Sequence, residues 1–222
     1  MLDTIRIQNL DYLLMPKNTG LQKYAQNARN FLRIPTSTQV LERRGEDIPL
    51  TIAELCAKNK LVVGITGDDL FDEARYRYRQ VGKSVRLINT IDWIDKKALY
   101  GRPCLALIAR KDTNLTNVLS QSKIVMAIPD KYKRTSQLFV QNWLKRNIQA
   151  FAGKNAAPRV KFATYKGAVE ENLAIGLADL AIDIVYSGRT IEENRLEIIE
   201  TIRASDVFVI AGINVKRQRE LL

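Results

Sequence analysis

The residues best suited to chemistry lie in one run, Gly176-Leu177-Ala178-Asp179-Leu180-Ala181-Ile182-Asp183-Ile184-Val185-Tyr186-Ser187-Gly188-Arg189-Thr190. Ile182, Ile184 and Val185 are apolar and β-branched, which predicts a short buried strand. That strand carries an acid, Asp183. It leads into Ser187-Gly188-Arg189-Thr190, whose composition suits a tight turn with outward-facing N–H groups. Thr190 and Glu193 have the spacing of a capping box, so a helix is expected to begin there. A turn at a helix N-terminus attracts anions, because its N–H groups lack intrahelical partners and the helix dipole favours negative charge. An acid to hold sugar hydroxyls, followed by such a turn, is a workable grip for a ribose 5-phosphate. The plainer roles are a structural turn acid for Asp183 and a helix cap for Thr190.

Composition narrows what else the chain can do. It has 222 residues and no histidine. That excludes Ser–His and Cys–His nucleophile pairs and any His-bound metal, so chemistry falls to carboxylates, Lys, Arg, backbone donors or an ion carried by the substrate. No protein-held metal site is expected. The net charge of +11 fits an anionic partner, either polyphosphate or nucleic acid. The basic residues are spread along the chain, densest at 75–79, 131–134 and 145–146, and no helix-turn-helix, zinc or aromatic–basic RNA-binding pattern accompanies them. Cys56 and Cys104 make neither a disulfide framework nor a metal site and are expected to be small buried residues. No apolar run is long enough to span a membrane and no basic-then-apolar leader is visible at the start, so a cytoplasmic protein is expected.

The elements that must position these groups alternate. Strands are expected over 5–15, 40–44, 61–65, 104–109, 124–128, 160–165, the 182–185 run and 207–211. Helices are expected over 22–32, 49–59, 69–79, after a Lys/Arg-rich loop that follows 128 and through about 148, over 169–177, and at 215–222. Lys154–Pro158 is a polar break. Strands alternating with helices argue for an α/β architecture with mostly parallel sheets. Val63-Gly64-Ile65-Thr66-Gly67-Asp68-Asp69-Leu70 is a second strand–loop–helix unit, whose plain role is a helix start with acidic caps.

The chain resembles the ATP phosphoribosyltransferase family, the first enzymes of histidine biosynthesis. Glu170, five residues and then Gly176 match the start of that family's signature. Ala178, Asp183, Ser187, Gly188 and Thr190 follow in register. Asp47-Ile48-Pro49, Val63–Leu70, Gly167-Ala168-Val169-Glu170 and Asn194-Arg195-Leu196 resemble further family segments, the last standing where the family has Asn-Gly-Leu. Ala181 replaces the family's Ile or Val, and Ile191 its Leu or Met. The loop Met15–Leu21 lacks the family's Arg, and Met126 stands where the family has Thr.

The resemblance implies two lobes like those of type II periplasmic binding proteins: lobe one over 1–100 plus 188–222, lobe two over 101–187, with ligands in the cleft between them. It implies transfer of a 5-phosphoribosyl group from phosphoribosyl pyrophosphate to N1 of ATP, with pyrophosphate released and Mg²⁺ carried on the pyrophosphate. Glu170 and Asp183 would be catalytic, orienting the ribose hydroxyls. Asp183, Ser187, Gly188, Arg189 and Thr190 would bind phosphoribosyl pyrophosphate. Lys17, Arg29, Thr66, Gly67 and Asp69 would contact the nucleotide. The length matches the family's short form, which works as a homo-oligomer with a regulatory subunit similar to histidyl-tRNA synthetase. Because the departures fall on the ATP side, two alternatives stay open: a phosphoribosyltransferase with a changed acceptor, and a non-catalytic bilobal protein that binds an anion. Nucleic-acid binding is the least favoured role.

Overall fold

The computed structural model describes residues 10–32, 34–35, 37–151 and 158–213. The first part of the expected 5–15 strand, most of the polar break and the expected helix at 215–222 lie outside these residues. Contacts divide the chain into two units, Met1–Trp93 with Asp206–Leu222, and Ile94–Ser205.

In chain order the first unit contains β1 (Tyr12–Pro16), α1 (Thr19–Phe31), β2 (Gln39–Arg43), α2 (Ile48–Ala57), β3 (Val62–Gly67), α3 (Asp68–Arg77), α4 (Arg79–Ser84) and β4 (Val85–Ile91). The second contains β5 (Cys104–Arg110), α5 (Leu115–Ser120), β6 (Lys123–Pro129), α6 (Lys133–Phe151), β7 (Arg159–Tyr165), α7 (Val169–Ala174), β8 (Leu180–Val185), α8 (Arg189–Glu193) and β9 (Leu196–Ala204). The chain then returns to the first unit as β10 (Val207–Gly212).

Each unit is built on a five-stranded sheet, ordered β2-β1-β3-β10-β4 in the first and β7-β6-β8-β5-β9 in the second. Both sheets are mixed, which corrects the expectation of mostly parallel ones. Along each order the first two pairings are parallel and the last two antiparallel. Parallel neighbours need a helical crossover within the sheet. The strands β5 and β10 arrive from the other unit, need no such crossover, and run antiparallel to β8 and β3.

The period-two alternation of strands sorts the core. In the first unit Leu13, Met15, Val63, Ile65, Val207 and Val209 share one cluster with Leu21 and Ala25 of α1. Leu14, Val62 and Ile210 share the other with Ile48 and Ile52 of α2 and Phe71 of α3. In the second unit Ala106, Ala127, Ala181 and Val185 meet Val169 and Leu173 of α7. The intervening residues Leu105, Leu107, Ile124, Met126, Ile128 and Ile182 are buried on the opposite face.

Strands β4 and β9, and helices α4 and α5, were not anticipated. Both strands lie at sheet edges. They are largely half-buried or exposed along their length, whereas β3 is buried throughout. Edge strands carry charges such as Arg86, Glu197, Glu200 and Arg203, which mask the apolar run that marks a central strand. The unit boundaries also differ from 100/101 and 187/188. The ladder between β9 and β5 runs from Cys104↔Ala204 to Arg110↔Leu196 and keeps residues 188–205 in the second unit. Residues 94–100 stay with it through a hydrogen bond from the Leu99 N–H to the Tyr186 carbonyl.

Candidate active site

Asp183 lies on β8 between Ala181 and Val185, so its side chain shares the face covered by α7. Ala106 of β5 stands directly opposite it across the antiparallel ladder. Small residues at 106, 127 and 181 let α7 sit close to the sheet. On α7, Val169 and Leu173 enter the core, and Glu170 reaches the Asp183 carboxyl by a side-chain hydrogen bond.

Two carboxyl groups can hydrogen-bond only with a proton between them. Burial comes first, then the hydrogen bond to Glu170 and its charge, in pushing Asp183 up from 3.8 to about 8. Weaker effects oppose this: the Ile184 N–H, 2.8 Å from Asp183 Oδ1, and the charge of Lys131. At neutral pH the pair therefore keeps a proton. The remaining oxygens of the pair are acceptors, which suits vicinal sugar hydroxyls as donors.

Beyond β8 the chain makes the turn Tyr186-Ser187-Gly188. Gly188 has φ +79°, and a Cβ placed there would sit 3.3 Å from the exposed Leu99 side chain. This is a position for glycine on both counts. Gly188 is also the N-cap of α8. That corrects the expected capping box: Thr190 lies inside the helix, and Glu193 pairs with Arg189 instead, Nε to Oε1 2.7 Å. The left-handed Gly188 lets the helix start one residue before Thr190. Because α8 is only Arg189–Glu193, its dipole adds little, and any anion binding falls to the backbone of the turn itself.

Glu170, Asp183, Ser187, Gly188 and Thr190 line one small hollow, with Ile108 and Tyr186 among its other walls. Arg189 is not among the lining residues; its guanidinium lies on the exposed side with Glu193. Lys131 was missed as a site residue. The β6–β8 register pairs Ala127 with Ala181, and two further steps bring Pro129 level with Asp183. Lys131 follows Pro129 in the short 3₁₀ turn Asp130–Tyr132, half-buried, with its ammonium 5.3 Å from the Tyr132 ring. In sequence it was one more charge in a basic run, and its position just past a strand end was the signal available. Met126 is 1% exposed, on the face opposite the acid pair, so replacement of a family Thr there removes no polar group from this hollow.

The expected nucleotide residues lie in the first unit. Lys17 is exposed just past β1, and its N–H donates to the Arg43 carbonyl at 2.7 Å. Asn18 Oδ1 accepts the Gly45 N–H at 2.8 Å, and the fully buried Thr66 hydroxyl donates to the Gly45 carbonyl at 2.8 Å. Gly67 caps α3. Asp69 is buried and folds back, its Oδ1 accepting the Leu70 N–H at 2.8 Å. This is the acidic helix start that the plain reading expected. Arg29 stands apart from them. It is in the last turn of α1, and at 1.5 Å per residue it lies roughly 15 Å along the helix from the Lys17 loop. Since α1 returns between the parallel strands β1 and β2, that is the opposite end of the sheet.

Both cysteines are buried and free. Among the described residues no helix is long and apolar enough to cross a membrane.

The family model described as HisG, ATP phosphoribosyltransferase, matches residues 44–222. A curated relative, the ATP phosphoribosyltransferase of Rhodopirellula baltica, is 28% identical over 186 residues, covering 82% of this chain and 50% of its own. The chain spans about half the length of the curated relatives it matches. Among solved structures, the ATP phosphoribosyl transferase (HisG:HisZ) complex from Thermotoga maritima aligns with a TM-score of 0.60 at 18% identity, covering 94% of this chain and 89% of that one. The periplasmic aliphatic sulphonate binding protein of Escherichia coli aligns with a TM-score of 0.55 at 12% identity, covering 96% of this chain and 64% of that one. These structural likenesses show the two-lobed α/β fold.

Proposed function

The chain belongs to the ATP phosphoribosyltransferase family, and on that premise we propose that it transfers 5-phosphoribosyl from phosphoribosyl pyrophosphate to N1 of ATP and releases pyrophosphate. The observation that carries this reading is the convergence of the signature residues Glu170, Asp183, Ser187, Gly188 and Thr190 on one hollow. The turn takes the 5-phosphate. The carboxyl pair holds the ribose hydroxyls, its free oxygens accepting from them. C1 is attacked by adenine N1 as the bond to pyrophosphate breaks, so positive charge builds on the ring and negative charge on the leaving group. The protein's part is orientation and charge stabilisation. Lys131 supplies a cation on the same side of the sheet, and Arg189 adds positive charge at the rim.

Mg²⁺ arrives as part of the substrate. The carboxylate oxygens of the pair are the donor type that Mg²⁺ accepts beside phosphate oxygens and water. On the ATP side, Lys17 is the one expected contact whose side chain is exposed beside the loops ending β1–β3. Thr66 and Asp69 act there through the shape of the loop. We further propose a cytoplasmic homo-oligomer that pairs with a regulatory subunit similar to histidyl-tRNA synthetase.

The test is formation of phosphoribosyl-ATP by absorbance from ATP, phosphoribosyl pyrophosphate and Mg²⁺, with pyrophosphatase present, using the chain alone and with a candidate regulatory subunit. Product establishes the transferase, and dependence on the partner establishes the assembly. Binding of phosphoribosyl pyrophosphate without product in either mixture overturns the ATP acceptor.

A further inference from the structure

A turn that accepts an anion must aim its N–H groups at the ligand and hold its carbonyls elsewhere. A trans peptide is planar, so the C=O of one residue and the N–H of the next point in opposite directions. In the turn after β8, the Tyr186 carbonyl accepts the Leu99 N–H at 2.6 Å. That bond fixes the Tyr186–Ser187 peptide plane and turns the Ser187 N–H away from Leu99.

The segment that supplies Leu99 is itself tied down. Asp95 N–H donates to the Gly101 carbonyl at 2.7 Å, Ala98 N–H to the Asp95 carbonyl at 3.0 Å, and Gly101 N–H to the Ala98 carbonyl at 3.0 Å. The Asp95 carboxylate works on both sides. Oδ1 accepts the Lys97 N–H at 2.9 Å, and Oδ2 accepts the Tyr186 hydroxyl. Leu99 then lies against Gly188. One segment thus grips the turn at the Tyr186 hydroxyl, the Tyr186 carbonyl and Gly188.

We propose that residues 95–101 form a strap that holds the Tyr186–Thr190 turn in its anion-accepting conformation, with Asp95, Leu99 and Tyr186 as positioning residues. The proposal rests on the reading that this turn takes the 5-phosphate. None of the three is assigned to the ribose or to the transfer itself. Their contribution is that the turn need not be ordered by the ligand, which would otherwise weaken binding.

The experiment measures binding of phosphoribosyl pyrophosphate with Mg²⁺ to the full chain by calorimetry, for the wild type, Tyr186→Phe, Asp95→Asn and the double variant, with melting temperatures alongside. Tyr186→Phe removes only the hydroxyl. Asp95→Asn keeps an oxygen that can accept and should retain part of the affinity. The expected result is about a tenfold rise in Kd for Tyr186→Phe. Asp95→Asn should fall between it and the wild type, and the double variant should match Tyr186→Phe because the two groups act as one bond. Melting temperatures should stay within about 3 °C of the wild type. Wild-type affinity in Tyr186→Phe, or a double variant equal to the sum of the singles, overturns the strap while leaving the function intact. A lowered melting temperature with unchanged affinity also overturns it, since that is a structural bond alone. A wild-type chain that binds no phosphoribosyl pyrophosphate overturns the function and the strap together.

Discussion

The two sheets share one plan and use it differently. Each runs parallel, parallel, antiparallel, antiparallel across its strands, and β3 and β8 occupy equivalent places, parallel to one neighbour and antiparallel to the other. Each is followed by an acid-bearing or small-residue loop and a helix. On β3 the polar residue near the end, Thr66, is fully buried and bonded to the Gly45 carbonyl, and Asp69 bonds the N–H of its own neighbour. With Asn18 Oδ1, which accepts the Gly45 N–H, these bonds hold the loops after β1, β2 and β3 in place. On β8 the polar residue near the end, Asp183, is half-buried; its Oδ1 accepts the Ile184 N–H, and its carboxyl also meets a second carboxyl group, Glu170. A satisfied polar group stabilises. A pair of acids forced to share a proton is poorly satisfied and keeps capacity for a ligand. A polar residue near the end of the strand therefore serves as scaffold in one unit and as candidate site in the other.

The sharpest break in this comparison comes from Asp183→Asn. It should lower turnover of phosphoribosyl pyrophosphate by about a hundredfold or more, while the melting temperature moves by no more than about 3 °C. A wild-type rate would remove Asp183 from the site. The pH dependence of stability tests the shared proton. In the folded chain the Asp183 carboxyl titrates near 8, against 3.8 ordinarily, so between these values the native state holds a proton that the unfolded chain releases. Stability from this group is therefore complete below about pH 4 and is lost as pH rises towards 8, by up to about 1.4 kcal/mol per pH unit. Urea denaturation from pH 5 to 8 should show that fall in the wild type and a flatter profile in Asp183→Asn. Equal profiles would show that the pair holds no such proton.

The scaffold side should respond in the opposite sense. Thr66→Val leaves the buried Gly45 carbonyl without its donor and should cost about 1–3 kcal/mol in urea denaturation. Binding of phosphoribosyl pyrophosphate should stay at the wild-type value, and a loss of binding would end the division between scaffold and site. The smallest effect is expected at Arg195, which holds φ +52° where the family has glycine. Arg195→Gly relieves the left-handed strain but loosens the unfolded chain. It should therefore stabilise by no more than about 1 kcal/mol, read as a rise in melting temperature.

Much of this was legible in the residues. The central strands announced themselves by apolar β-branched runs, because burial on both faces leaves no room for charge. The run from Asp183 to Thr190 declared an acid and a glycine turn, because φ +79° at Gly188 is a demand that sequence records. The edge strands β4 and β9 were hidden by their charges. The distance between Arg29 and Lys17 was hidden because a helix separates residues that are close in sequence by its full length. The ion pair of the Arg189 side chain with Glu193, one helical turn on, was not read from the residues either.

Residue order settled what is local: the central strands and most helices, where a glycine turn must fall, and that histidine takes no part. Tertiary structure alone decided what depends on meetings across the fold. It set Glu170 of α7 against Asp183 of β8, placed Ala106 opposite to admit the helix, brought Lys131 to the end of a neighbouring strand, and laid residues 95–101 across the turn. The proton on Asp183 belongs to this second kind. It comes from burial and from a second carboxyl group, and neither exists for an acid until the chain has folded around it.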